Sequence, residues 1–324
     1  MTPLARWTDL ADIWSLYRTG GLEAAARASA LSPERLLYLA LLAFADERYA
    51  EATAFAERAA QASPEDLLSR SAAAYLARVA REGKRNVYVS AEGFGAFIRG
   101  GGNVPLYRET SAALARLYPS KPFDLLDIGV GDGMALLPAL TPSVRQVTLV
   151  EPTPLLESTT QALAARGVRF EPFSGRLQEF VAEPAMQERR WDVAQATFSL
   201  HNLPPAVRPE LMSWLGSRCD VLMLTEFDAP RMDEPLTPEL VSHVINRYRV
   251  GLSEYMGSDF ETVAQGFLMP VMFGYVDRSA TRTTFEHPIA EWELLLREAG
   301  FAQVGRVELY PYWWASACLV VARR

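Results

Sequence analysis

Cysteine and histidine are scarce in this chain: its 324 residues include 2 cysteines, Cys219 and Cys318, and 3 histidines. Both cysteines lie inside apolar segments, which excludes a disulfide framework and reads as two buried thiols. Three dispersed histidines form no ligand cluster, so no metal centre is expected. No apolar run approaches the roughly 20 residues of a membrane-spanning helix, and the start of the chain, with Trp7, Asp9 and Asp12, has no secretory pattern. The expectation is a soluble cytoplasmic protein without a membrane partner. Positive charge is also in short supply, since 32 Lys and Arg face 39 Asp and Glu for a formal net charge of -7. Such a balance does not attract phosphate backbones, which argues against a nucleic-acid partner.

Apolar residues, by contrast, make up 49% of the chain, enough for a substantial core and, at this length, for two domains. The organising stretch runs Phe123-Asp124-Leu125-Leu126-Asp127-Ile128-Gly129-Val130-Gly131-Asp132-Gly133. Leu125, Leu126 and Ile128 suit a buried parallel strand. Gly129, Gly131 and Gly133 allow a tight turn under a ligand, leading into a helix near Met134. The pattern places a nucleotide-like ligand at the carboxyl end of the first strand of an α/β sheet. Asp127 and Asp132 would oppose a pyrophosphate but suit an uncharged ribose or a cationic group, which favours an adenosyl ligand without phosphates.

These residues resemble the first motif of the class I S-adenosylmethionine-dependent methyltransferases, an acidic residue followed by three alternating glycines, met by Asp127, Gly129, Gly131 and Gly133. Glu151 closes the next apolar run, Val147-Thr148-Leu149-Val150, where that family places the carboxylate that takes both ribose hydroxyls. The resemblance covers about residues 106–324. It implies a seven-stranded Rossmann-like sheet with an antiparallel last strand, and S-adenosylmethionine as cofactor. Arg176 and Leu177 correspond by position to the adenine contact, although this chain lacks the family's acid beside Leu177. The end of the fourth strand, with Phe198 and Ser199, matches the segment lining cofactor and substrate. Many small-molecule members also carry an aromatic segment that closes over the cofactor just before the first strand, and residues 88–107 resemble it.

Ahead of the sheet the spacing is helical over residues 4–28, with Leu4, Trp7, Leu10, Ile13, Trp14 and Tyr17 before Gly20-Gly21. Further helices carry Leu36, Leu37, Ala40, Leu41 and Phe44, then Tyr49, Ala52, Ala56 and Ala59. This pair resembles one tetratricopeptide unit and reads equally as an ordinary alanine-rich bundle. Residues 88–107, with Gly100-Gly101-Gly102 among aromatics, are not expected to hold a stable helix. They read either as part of a pocket, through Asn103 and Tyr107, or as an interdomain hinge. The expected organisation is a helical domain over 1–85, a covering segment over 86–120, and a cofactor domain over 121–324.

Two other segments supply candidate chemistry. His201 follows the fourth strand and reads either as a general base or as a helix-capping histidine. Glu226 ends the fifth strand, Val221-Leu222-Met223-Leu224-Thr225-Glu226-Phe227, and reads either as a carboxylate that holds an amine or accepts a proton, or as a solvated loop acid. The interval 229–287 is too long for a plain connection. Its apolar residues must bury against the N-terminal domain, over the active site as a lid, or against a second subunit of a homodimer. The lid is the preferred reading, with Arg247, Tyr248, Tyr255 and Glu254 as its polar groups. Catalytic candidates are therefore His201, Tyr107 and Glu226, and substrate-binding candidates Asn103, Arg247, Tyr248 and Tyr255. The function these readings converge on is methyl transfer to a small or medium-sized metabolite, a biosynthetic modification. The alternatives are cyclisation or cleavage of the same cofactor, or a non-catalytic scaffold with a vestigial adenosyl site.

Overall fold

The computed structural model describes residues 10–28, 31–84 and 89–324. Leu4, Trp7 and residues 85–88 of the interdomain segment lie outside them. In chain order, α1 (Ala11–Ala26, kinked at Gly21), α2 (Pro33–Ala45), α3 (Tyr49–Ala62), α4 (Leu67–Glu82), α5 (Ala91–Ile98) and α6 (Asn103–Leu117) precede the first strand. Strands β1 (Phe123–Ile128), β2 (Val144–Val150), β3 (Phe170–Phe173), β4 (Trp191–Thr197) and β5 (Cys219–Phe227) alternate with α7 (Leu136–Ala139), α8 (Leu155–Ala165), α9 (Leu177–Ala182) and α10 (Arg208–Arg218). Helices α11 (Pro238–Ser253), α12 (Asp259–Val263) and α13 (Met269–Gly274), the last two joined by a π-helical turn, Ala264–Leu268, lead to α14 (Ile289–Glu298), β6 (Gln303–Tyr310) and β7 (Ala317–Arg323). No helix among the described residues is long and apolar enough to cross a membrane.

The chain divides into two compact units, Met1–Asn103 with Met232–Arg282, and Val104–Arg231 with Thr283–Arg324. The second holds a seven-stranded sheet in the order β3-β2-β1-β4-β5-β7-β6. Strands β1 to β5 pair in parallel and β7 runs antiparallel to both β5 and β6, a Rossmann-like methyltransferase sheet. The central strands read as near-continuous apolar runs because both faces are covered. One face packs Leu126, Ile128, Ala194, Leu222, Leu224 and Val320 against Leu211, Trp292 and Leu296. The other packs Leu125, Val147, Leu149, Val193, Met223 and Leu319 against Ala113 and Leu114 of α6. Cys219 and Cys318 are buried free thiols within this unit.

In the other unit, apolar side chains of 232–282 such as Phe273 pack against the N-terminal helices. Phe273 of α13 lies 5.0 Å from the Phe44 ring and 5.2 Å from that of Tyr75. The Tyr38 hydroxyl donates to the carbonyl of Leu236 (2.5 Å), and Arg249 bridges Glu34 (2.8 Å) and Asp66 (3.1 Å). Two local expectations are corrected. Residues 91–98 are helical despite their glycines, because Ser90 Oγ accepts from Gly93 N–H (2.9 Å) as a cap and the Phe97 ring stacks on Phe267 at 4.1 Å. The helix expected from Met134 shrinks to the four residues of α7, since Pro142 disfavours helical backbone at Thr141.

Candidate functional site

Strand order reverses between β1 and β4, one chain path running outward to β2 and β3 and the other to β5 and β7. Loops leaving the carboxyl ends of such neighbouring strands diverge and leave a crevice between them. The glycine turn after β1 and the Phe198-Ser199 turn after β4 flank this point. Gly129 has φ +71, and a Cβ placed on it would meet the Ser199 Cβ at 2.3 Å. Ser199 Oγ donates to the carbonyl of Ile128 (2.7 Å), which locks the two turns together. Gly131, at φ +57, differs in kind, because a Cβ there would meet nothing within 4 Å. The backbone is thus bare and open at the middle glycine, where a ligand would approach it.

Glu151, at the end of β2, is buried beside this turn. Its Oε2 accepts from Gly131 N–H and its Oε1 from Thr153 N–H, both at 2.9 Å. A carboxylate held by two amides is fixed in position and still has lone pairs for two further donors. Asp127 is buried on β1 and accepts from Gln195 Nε2 (2.7 Å), while the Tyr118 hydroxyl donates to Gln195 Oε1 (2.5 Å). Burial pushes the Asp127 carboxyl up to about 7, with the Glu151 charge adding to it and the Gln195 hydrogen bond opposing it. Of the adenine-side candidates, Leu177 is buried in the core and Arg176 is exposed, its N–H donating to Glu179 Oε2 (2.8 Å).

Phe198 occupies the left-handed region at φ +50, unusual for a bulky residue. Its N–H donates to the carbonyl of Thr225 (2.9 Å), and its ring stacks on Phe227 at 4.5 Å and 16°. Phe227 stacks in turn on Tyr312 at 5.1 Å and 22°. Tyr107 meets Phe198 edge-on at 5.9 Å, and burial raises its hydroxyl well above the ordinary tyrosine range. Backbone strain kept at a strand end beside stacked rings makes this turn a candidate site.

The structure joins two of the catalytic candidates directly. His201 Nδ1 lies 2.8 Å from Glu226 Oε2, and Glu226 Oε1 accepts from the His201 N–H at 3.1 Å. Glu226 is therefore a buried partner rather than a solvated loop acid, with its side chain 2% exposed and that of His201 15%. Burial of the imidazole works against its charged form, but the charge and hydrogen bond of Glu226 outweigh that and raise His201 above its ordinary range. The His201 carbonyl accepts from Phe285 N–H (2.8 Å), which anchors the turn.

Asn103, Arg247, Tyr248 and Tyr255 belong to the other unit. Asn103 Nδ2 donates to the carbonyl of Phe97 (2.9 Å) and to the Tyr255 hydroxyl (3.1 Å), which itself donates to the Phe97 carbonyl (2.8 Å). Glu254 accepts from Gly102 N–H (2.9 Å), and burial raises its carboxyl. Tyr248 is buried in α11, and burial also lowers the Arg247 guanidinium. Sequence reasoning did not single out Gln195, Phe227 or Tyr312. The signal for Phe227 was its place at the end of a strand leading to the ligand edge. Nothing local marks Gln195, which is found only through its register opposite Asp127.

No family model matches the chain, and no curated relative matches it. Solved structures do match. The cyclopropane synthase MmaA2 of Mycobacterium tuberculosis is 10% identical over 74% of this chain and 98% of that one, with a TM-score of 0.50. The chain has a class I methyltransferase-like fold. An N-terminal helical extension precedes it. The magnesium protoporphyrin IX methyltransferase of Synechocystis, solved with S-adenosylhomocysteine, is 17% identical over 74% of this chain and 99% of that one (TM-score 0.46). A Nostoc punctiforme structure named for O-methyl transfer is 14% identical (TM-score 0.44); the match covers 68% of this chain and only 56% of that protein's length.

Proposed function

We propose that the protein binds S-adenosylmethionine and transfers its methyl group to a small or medium-sized metabolite. The observation that carries this reading is the pairing of Glu151 with the bare backbone of Gly131 at the switch point. Glu151 keeps acceptor capacity for two ribose hydroxyls, and the carboxyl of Asp132 within the glycine turn disfavours a pyrophosphate. A sulfonium cofactor, when bound, supplies an activated methyl group. The protein's part is then to align an acceptor, exclude water and take up a proton where the nucleophile carries one. Phe198, Phe227 and Tyr107 form an apolar lining for that purpose. His201 is the group placed to take the proton, with Glu226 holding its Nδ1–H and so presenting Nε2 as the base.

Calorimetric titration with S-adenosylhomocysteine tests the reading. Wild type binds it and Glu151→Ala loses about 10- to 100-fold in affinity, the range for hydrogen bonds to a charged group. Equal affinity of the two proteins would remove Glu151 from the ribose role. Mass spectrometry of S-adenosylmethionine incubated with the protein alone separates the outcomes, since an unchanged cofactor fits a transferase and a changed one a cyclase or lyase.

A further inference from the structure

Among the described residues, four buried threonine hydroxyls in the sheet-bearing unit have no hydrogen-bond partner: Thr141 Oγ1 lies in the loop before β2, and the other three, Thr110 Oγ1, Thr197 Oγ1 and Thr225 Oγ1, lie on α6, β4 and β5. Thr110 and Thr225 are 0% exposed. Each such hydroxyl costs about 1–3 kcal/mol relative to a satisfied one, so the three on α6, β4 and β5 ask for an explanation. Thr197 and Thr225 are register partners in the parallel pair of β4 and β5. Strand alternation puts both on the face that carries Val193, four residues before Thr197, and Met223, two before Thr225. Thr110 lies on the stripe of α6 that also holds Tyr107, Ala113 and Leu114, which pack onto that same face.

Neighbouring strands are about 4.8 Å apart, so one oxygen atom seated between the two strand hydroxyls would bond both at ordinary lengths of about 2.7–2.8 Å. A hydroxyl both donates and accepts, so the pair serves either an alcohol or a carbonyl oxygen. Phe227 follows Thr225 by two residues on the same side of β5 and belongs to the near-parallel set Phe198, Phe227 and Tyr312. Flat rings of this kind match a flat ring.

We propose that Thr197 and Thr225, on the sheet face that α6 covers, form a hydrogen-bonding site for the hydroxyl or carbonyl oxygen of an aromatic acceptor whose ring packs against the Phe198, Phe227 and Tyr312 lining. This rests on the acceptor-binding role given above to the same strand ends. The site takes no part in the bond-making step; it selects and orients the acceptor.

The test uses phenol and toluene, which share a shape and differ in the hydroxyl, titrated into the full-length protein with and without S-adenosylhomocysteine and followed by NMR and calorimetry. Wild type binds phenol at least tenfold tighter than toluene, because a site built for a hydroxyl rejects the analogue lacking it. The isosteric double variant Thr197→Val/Thr225→Val binds the two alike. With the unpartnered hydroxyls gone, it also melts at the same or a higher temperature than wild type. Equal binding of both probes to wild type, binding of neither, or a preference that survives in the variant overturns the proposal. A lower melting temperature of the variant does so too, since it would show that the hydroxyls are satisfied within the protein. Homocysteine-ligand binding without phenol selectivity sinks this site and leaves the adenosyl reading standing, whereas phenol selectivity without that ligand does the reverse.

Discussion

At the residue scale the three glycines after β1 look interchangeable in the sequence and are not so in space. Gly129 is pinned by Ser199, whereas nothing fills the space beside Gly131. Both have positive φ, so alanine at either costs about 1 kcal/mol from backbone strain. Only at Gly129 is there a clash as well. We therefore expect Gly129→Ala to lower stability by about 3 kcal/mol or more and Gly131→Ala by about 1 kcal/mol, measured by denaturant unfolding. The expectation for S-adenosylhomocysteine binding runs the other way, because Gly131→Ala stays folded yet puts a methyl group where the ligand would lie. A Gly131→Ala protein that binds as wild type does would show that the open space is not the ligand's. The alternating glycines and the acids Asp127 and Glu151 were legible because the turn needs their residue types. The partition of roles among the glycines was not, because it depends on Ser199, which lies about 70 residues further on and reaches them only through the sheet.

Between elements, the contact of most consequence ties the turn after β4 to the end of β5. His201 was legible as a candidate by its scarcity and its place after a strand, and Glu226 as an acid at a ligand edge. Their union needed the parallel register that sets Thr197 beside Thr225, which a local pattern does not contain. The pair has a pH signature. An imidazole raised above its unfolded value of about 6.5 adds stability that is complete below that pH and is lost as pH rises through the folded value. Glu226→Gln keeps the shape and removes the charge, while the burial that lowers His201 remains. With 3 histidines in the chain, the His201 ring proton is resolvable by NMR, assigned by its absence in His201→Asn. Its midpoint is expected above 6.5 in wild type and at or below 6.5 in Glu226→Gln. The stability advantage of wild type over the variant should be largest in acid and shrink across the same interval. An unchanged midpoint would mean that Glu226 does not govern the protonation of His201.

On the scale of the whole molecule, what could not be read from the sequence is that residues far apart in the chain build one helical unit. The apolar character of 229–287 required burial somewhere, but periodicity names no partner. The partners include Phe44 and Tyr75 around Phe273, Glu34 and Asp66 around Arg249, and Tyr38 at Leu236. Every one of them lies before residue 104. A chain starting at Val104 would keep 232–282 and lose those partners, leaving Phe273 and Met272 exposed and Arg249 without its carboxylates. We expect such a protein to aggregate or to bind hydrophobic dyes. A second truncation removes 232–282 as well. Asp233 and Arg282 pair at 3.2 Å, so the excised segment begins and ends at nearby points and a short glycine-serine linker can close the gap. The resulting chain, 104–231 joined to 283–324, retains every residue of the β1, β2 and β4 turns, from Asp127 through Glu151 to Ser199. It should remain more soluble than the first truncation and bind S-adenosylhomocysteine, as size-exclusion chromatography, circular dichroism and calorimetry would show. The reverse order of solubility would mean that the interval 232–282 is stable without the N-terminal helices, against the packing described above.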